Sequence, residues 1–324
     1  MHMIFVIKNN SKKLSIIYIR NNIKMKKIIR SVLNKFGYDF IKINVHSQDK
    51  AKKIFKVKVG KFQINMPGNN IQISNYKYEP DVNSQLGRLA KIVYAKYSQL
   101  EVIDIGANVG DTIAIIKSYI DIPIIGIEGD EICYKFLKEN TSQFKKITLL
   151  KQFLGEKKQS INVAFEKNGW NTTIIPTDAS TDSITLQTLD EVLTTNNLLS
   201  NNLKLLKIDT EGFDTIILRG STELIKNQNP VIYFEYNRSN MDTIKENGLS
   251  TLFSLVNYGY KNVILFDNKG RYITKIDLLN HILISEMHNY SNEKNSGIAY
   301  YDMCLFHEND IDIENVFLNE ERNN

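Results

Sequence analysis

Val102-Ile103-Asp104-Ile105-Gly106-Ala107-Asn108-Val109-Gly110-Asp111-Thr112 joins a short apolar run to a glycine-containing turn, and the amphipathic stretch DTIAIIKSYI follows from residue 111. A four-to-eight-residue apolar run bounded by glycine predicts a buried strand, and the turn predicts entry into a helix. Moving outward, the same alternation recurs. PIIGIEG (123–129), ITLLKQFLG (147–155), LKLLKID (203–209) and PVIYFEY (230–236) read as further strands, while DEICYKFLKEN (130–140), FDTIILRGSTELI (213–225) and TLFSLVNYGY (251–260) read as helices. Strands alternating with helices imply parallel pairing through crossovers. NVILFDN (262–268) and GIAYYDMCLFH (297–307) suit a closing antiparallel pair. The expected fold is α/β: a doubly wound, seven-stranded, mostly parallel sheet with that pair at one edge, plus a small N-terminal helix and β-hairpin region.

Three regions fall outside the alternation. Residues 1–24 mix short apolar runs with charge and are expected to be a non-core extension. Residues 25–98 are expected to form a basic accessory region: a helix over 25–36 ended by Gly37, then a hairpin, IFKVKVGKFQIN (54–65), turning at Gly60. The main α/β domain is placed at 99–324, interrupted by a polar, β-like insert over 156–189 that holds Trp170, the single tryptophan. Trp170 reads equally as a sugar-face contact or as part of a satellite apolar cluster. Tyr78 and Glu79, just ahead of the sheet, read as a packed turn or as an acceptor entrance.

Composition narrows the class. The 324 residues are 42% apolar and 24% charged with only five prolines, which excludes disorder and leaves room for a large core. No 18-residue apolar run is present, and the N-terminal apolar runs are too short and interrupted for a secretory signal peptide. Cys133 and Cys304 are distant in sequence and form no CxxC. Cys304 and His307, three apart on a strand, would point to opposite faces, so they make no zinc pair. A reducing, cytoplasmic compartment is expected. The net charge of +5 is uneven. Residues 1–61 carry 16 Lys/Arg against Asp39 and Asp49, or +14, leaving −9 for the remainder. Such a basic end fits an anionic membrane surface, an acidic glycan or nucleic acid, and equally a solvated Lys-rich face. Phe36, Tyr38 and Phe40 bunch together rather than spreading along the segment, so nucleic acid is not expected. Peripheral membrane contact is the expected role; the oligomeric state is not encoded in any pattern here.

In an open α/β sheet, ligands bind beyond the carboxyl ends of the strands. Four strand ends are acidic: Asp104, Glu128, Asp209 and Glu235, with Glu211 just beyond Asp209. The first turn differs from a dinucleotide fingerprint, because Asn108 and Asp111 stand where GxGxxG has its second and third glycines. A pyrophosphate beside Asp104 and Asp111 would be repelled. A cationic ligand with a ribose is favoured, and S-adenosylmethionine has both; Glu128, 22 residues after Gly106, is placed to accept from ribose hydroxyls. The five histidines lie outside these motifs, which leaves Asp209, Glu211 and Glu235 as candidate bases, or two of them as ligands of Mg²⁺.

VIDIGANVGDT (102–112), TLDEVL (188–193), LLKIDTEGFDTIILRG (205–220) and NPVIYFEYN (229–237), in that order, resemble the FkbM-type methyltransferases. These are class I S-adenosylmethionine-dependent enzymes with a Rossmann-like fold that methylate hydroxyl oxygens. The resemblance spans roughly residues 99–307. It implies that Asp104, Gly106, Asn108 and Gly110 line the methionine part of the cofactor, that Glu128 meets its ribose, and that Asp209 and Glu211 face the reacting centre. Asp214 stands where the family often has Glu. The resemblance implies O-methylation without fixing the acceptor; with the polar insert 156–189 read as an acceptor-binding rim, a glycan or glycan-like hydroxyl is expected. A natural-product acceptor, or a non-catalytic nucleotide-binding protein on the same fold, is the alternative.

Overall fold

The structure, a computed structural model, describes residues 3–8, 14–19, 53–168, 171–177, 179–180, 182–291 and 296–324. The helix expected over 25–36 and Trp170 lie outside these residues. The chain divides into two compact units, Met1–Gln48 and Asp49–Asn324. In the first, β1 (Met3–Lys8) pairs antiparallel with β2 (Leu14–Ile19), Met3 opposite Ile19. The sequence shows no alternation there because both strands are almost wholly apolar.

The second unit runs β3 (Ile54–Val59), β4 (Phe62–Pro67), α1 (Gln72–Tyr78), α2 (Ser84–Lys96), β5 (Glu101–Ile105), α3 (Asp111–Tyr119), β6 (Ile124–Glu128), α4 (Glu131–Thr141) and β7 (Ile147–Lys151). The insert follows as β8 (Phe153–Leu154), β9 (Gln159–Asn168), β10 (Asn171–Pro176) and β11 (Ser183–Gln187), then α5 (Leu189–Thr195) and β12 (Leu203–Ile208). Next come α6 (Asp214–Arg219), α7 (Thr222–Gln228), β13 (Val231–Tyr236), α8 (Arg238–Thr243), α9 (Leu249–Ser254), β14 (Tyr260–Phe266), β15 (Tyr272–Asp277), α10 (His281–Tyr290), β16 (Tyr301–His307) and α11 (Ile311–Asn323).

The main sheet has the order β15-β14-β16-β13-β12-β5-β6-β7. The five strands from β13 to β7 are parallel, and β16 inserts antiparallel between β13 and β14. Side chains alternate across the sheet, so Ile103 and Ile105 of β5 join one apolar layer while Val102 joins the other. The reversal of strand order between β5 and β12 opens a crevice at their carboxyl ends.

Three expectations need correction. The sheet has eight strands, not seven: β15 pairs with β14 at the edge. Its residues are mostly half-buried, so the alternation that marks a strand is faint. The stretch 213–225 is two helices, because the chain bends at Gly220, where a Cβ would lie 2.1 Å from the Gly155 carbonyl. Finally, the hairpin β3–β4 is not set apart from the methyltransferase-like body at residue 98. Asn140 of α4 accepts from Asn65 N (2.8 Å) and donates to the carbonyls of Asn65 (2.9 Å) and Val109 (2.7 Å). Val57, Val59, Ile64 and Met66 share a buried cluster with Ala114 and Ile115 of α3.

Candidate active site

A cleft of about 530 Å³ opens at the carboxyl edge of β5, β6, β12 and β13. The turn after β5 forms its floor. Gly106 has φ +71°, and a Cβ there would sit 1.8 Å from the Asp209 carbonyl, so only glycine lets the β5 and β12 turns pass this closely. Asn108 is also left-handed (φ 47°), and its backbone N–H donates to Glu128 Oε2 at 2.9 Å. Glu128 Oε1 accepts from Asp130 N at 2.8 Å. Both oxygens are thereby oriented while each keeps a lone pair. Burial pushes the Glu128 carboxyl up to about 7, against the pull of these two N–H groups.

Of the residues singled out in the sequence, Gly106, Asn108, Glu128, Asp209, Glu211 and Glu235 line the cleft, and Asp104 and Gly110 do not. Asp104 is fully buried beside its register partner Lys207, whose Nζ lies 2.9 Å from Asp104 Oδ1 and 3.7 Å from Asp209 Oδ2. Burial opposes the ammonium of Lys207, but Asp104 and Asp209 outweigh it and hold Lys207 charged. Asp104 thus braces the floor from behind through Lys207, which itself lines the cleft. Gly110 (φ +86°) caps α3 and keeps it close to α4, where a Cβ would lie 3.1 Å from Leu137 and Thr141.

The loop after β12 is held by a carboxyl of its own. Asp214, 1% exposed, accepts from Thr210 N (3.1 Å) and Gly212 N (3.2 Å), and burial, with Asp209 adding, pushes it up to about 7. This brace holds Glu211 at φ 54°, and Asn240 Nδ2 donates to Glu211 Oε2 at 2.5 Å. Arg219 ties the insert to the body by bonding Glu156 (2.6 Å) and Glu246 (3.0 Å). Asp209 stays half exposed.

Several lining residues escaped the sequence reading. Asp302 is opposite Glu235 across β13–β16. An antiparallel strand presents its beginning, not its end, at this edge, so inspecting strand ends passes over it. Lys207 is a strand-interior residue, and charged residues there read as surface. Gln72 and Asn75 of α1 line one wall with Glu79 at its C-cap, the residue read above as a packed turn or an acceptor entrance, while Tyr76, buried on the same side of the helix, donates to Asp111 Oδ2 at 2.8 Å. Glu79 also pairs with Lys269 at 2.6 Å, and Tyr78 beside it is exposed. Phe165 and Ile174 of the insert complete the rim. Among the described residues, no three His, Cys, Asp or Glu side chains converge as a metal site requires, so the Mg²⁺ alternative gains no support. No helix among them is long and apolar enough to cross a membrane.

Comparison with solved structures gives distant likenesses. An FkbM methyltransferase from Methylobacillus flagellatus is 15% identical at a TM-score of 0.36, with 63% of this chain and 58% of that one covered. The chain therefore spans less than two thirds of that protein. A precorrin-6y C5,15-methyltransferase from Geobacter metallireducens is 12% identical (68% and 88% covered, TM-score 0.34). P. horikoshii TYW2, solved in complex with MeSAdo, is also 12% identical (90% and 86% covered, TM-score 0.39). No curated protein matches the chain in sequence. The methyltransferase FkbM domain family matches residues 69–261, well over half of the chain, across the α1 wall, the Gly106 turn, the insert and the Asp209–Glu211 loop. This chain belongs to the FkbM methyltransferase family.

Proposed function

We propose that the protein transfers a methyl group from S-adenosylmethionine to a hydroxyl oxygen of a glycan or glycan-like acceptor. The observation that carries this reading is the cleft itself, where a ribose-accepting carboxylate, Glu128, and an acceptor-side group of carboxylates, Asp209, Glu211, Glu235 and Asp302, share one cavity. The donor set fits the cofactor. Eight carboxylates but only two lysines line the cleft, which favours a sulfonium and ammonium ligand over a pyrophosphate. Gly106, Asn108 and Glu128 are the residues to hold it. S-adenosylmethionine supplies a methyl group on a cationic sulfur. The chain's residues orient the attacking oxygen, exclude water and take its proton.

The acceptor side is amide-rich. Asn70 is 5% exposed, and its Nδ2 has no hydrogen-bond partner in the cleft wall. With Gln72, Asn75 and Glu79 it offers planar donors and acceptors suited to vicinal hydroxyls, and Phe165 and Ile174 offer an apolar surface for a ring face. The same acidic lining disfavours nucleic acid in the cleft. A small natural product with neighbouring hydroxyls is the second reading, since the walls select hydroxyls rather than chain length. Incubation with S-adenosylmethionine and neutral oligosaccharides, followed by mass spectrometry, should show addition of one methyl per acceptor. Methylation confined to non-hydroxyl compounds would contradict the reading.

The basic end is proposed to draw the enzyme to an anionic membrane surface. In its described part, Lys53, Lys56, Lys58 and Lys61 are exposed alongside Ile54 and Phe55, a mix of charge and apolar surface suited to head groups.

A further inference from the structure

Glu235 and Asp302 are direct partners in the antiparallel β13–β16 ladder, and both line the cleft. Directly opposed residues point to the same sheet face with Cβ atoms roughly 4.5–5.5 Å apart, and like charges in that relation destabilise each other. Glu235 is 9% exposed. Asn237 Nδ2 donates to Glu235 Oε1 at 3.2 Å, and the Tyr233 hydroxyl, on the same face two residues along β13, donates to Asp302 Oδ2 at 3.0 Å. Gln85 of α2 fixes that hydroxyl by donating to it at 2.9 Å. A chain Gln85–Tyr233–Asp302 thus runs from the core to the cleft.

Resting on the O-methyl-transfer reading above, we propose that Glu235 and Asp302 form one proton-sharing carboxyl pair that removes the acceptor's hydroxyl proton, with Tyr233 and Gln85 as positioning residues. The pair holds one proton and one negative charge between its two members. As the bond from acceptor oxygen to methyl carbon forms and the bond from that carbon to sulfur breaks, the hydroxyl proton passes to the ionised member. The pair then carries two protons and no charge, the products are a methyl ether and S-adenosylhomocysteine, and one proton returns to solvent. Neither Asp209 nor Glu211 has an opposed carboxyl: Asp209 stands half in solvent beside Lys207, and Glu211 is tied to Asn240.

The surroundings support sharing. Burial and then the charge of Asp209 push the Asp302 carboxyl up to about 8, against the Tyr233 hydrogen bond and Lys207, while Asp214 adds to the rise. Glu235 is driven well above the carboxylate range by burial, then by Asp209, Glu211, Asp214 and Asp302. Tyr300 also faces both groups. Lys269, the other cleft cation, is engaged by Glu79.

Two measurements on the full chain test this. Carboxyl-carbon NMR of the protein without cofactor should show Glu235 and Asp302 titrating together in two steps. Asp302→Asn should collapse Glu235 to one step, lower by more than about 1 pH unit, the coupling expected of a shared proton. In kinetics, Glu235→Gln should lower kcat about 100-fold or more with cofactor Kd within about twofold. Tyr233→Phe, the milder change, should move the kcat inflection to higher pH because it removes the bond that favours ionised Asp302. Independent titration of the two carboxyls in an active enzyme, or an unchanged pH profile in Tyr233→Phe, overturns the pair alone. Coupled titration in a protein that methylates no hydroxyl overturns the transfer reading and this role with it.

Discussion

Lys207 and Asp104 show how one buried contact can support a site: Lys207 lines the cleft and Asp104 stands behind it as its counter-charge. Both are nearly inaccessible, and each is the other's counter-charge. Removing one member leaves an uncompensated buried charge, a loss of roughly 3–5 kcal/mol. Lys207→Met should therefore destabilise the protein by that amount in urea denaturation, and adding Asp104→Asn should recover part of the loss. Glu128 carries a pH signature. Its carboxyl titrates at about 7 and accepts hydrogen bonds in its ionised form. Cofactor affinity should weaken as pH falls through 7, and Glu128→Gln should bind more weakly and lose that dependence, as read by titration calorimetry across pH 6–8. The stability linkage has the opposite direction: a carboxyl raised in the folded state contributes stability below its unfolded value, lost as pH rises through the folded one.

Among the elements, the insert and α1 supply walls of the cleft, and the proposed acceptor site rests on them. Phe165 reaches the cleft from β9, on a different sheet from Glu128 of β6. Phe165→Ala should raise the acceptor KM several-fold while leaving cofactor Kd within about twofold, the split expected when ground-state acceptor contacts alone are removed. The insert was legible in the sequence as short polar strands, because its turns and alternation are local. Its place at an acceptor rim was expected as well, but not that Phe165 and Ile174 are the residues that line the cleft, nor that Arg219 fastens Glu156 to the Glu246 loop across the fold. The strand ends Glu128, Asp209 and Glu235 were legible because parallel topology puts every carboxyl end at one edge. Asp302 was hidden by the reversed direction of β16, and the α1 wall by shortness, since seven residues give too few turns for periodicity to speak. Asp104 was recognised by motif, and its place behind the lining, fully buried against Lys207, came from the alternation of β5 and its register with β12.

For the whole molecule, charge is the organising variable. Residues 1–61 carry +14 and the remainder −9, so a basic end accompanies an acidic cleft. Each basic residue near an anionic bilayer contributes about 1 kcal/mol, screened over a Debye length of about 8 Å at physiological salt. Co-sedimentation with anionic vesicles should be strong at low salt, fall at high salt, and weaken for a chain beginning at Ala51, which keeps Lys53, Lys56, Lys58 and Lys61 but loses the other basic residues of the end; binding that ignores salt contradicts an electrostatic role. The acidic cleft sets the wider pH response. Glu128 and Asp214 at about 7 and Asp302 at about 8 are all raised in the folded state. Stability should therefore fall between about pH 5 and 8.5, with Tm decreasing across that window and less steeply in Asp302→Asn. The same excess of carboxylates is the ground for proposing a cationic cofactor over a pyrophosphate. The most direct test is calorimetric titration of the full chain with S-adenosylmethionine and, separately, with NAD. Saturable binding of S-adenosylmethionine that weakens in Glu128→Gln, with no heat from NAD, is the expected result; tight NAD binding without response to S-adenosylmethionine would contradict it.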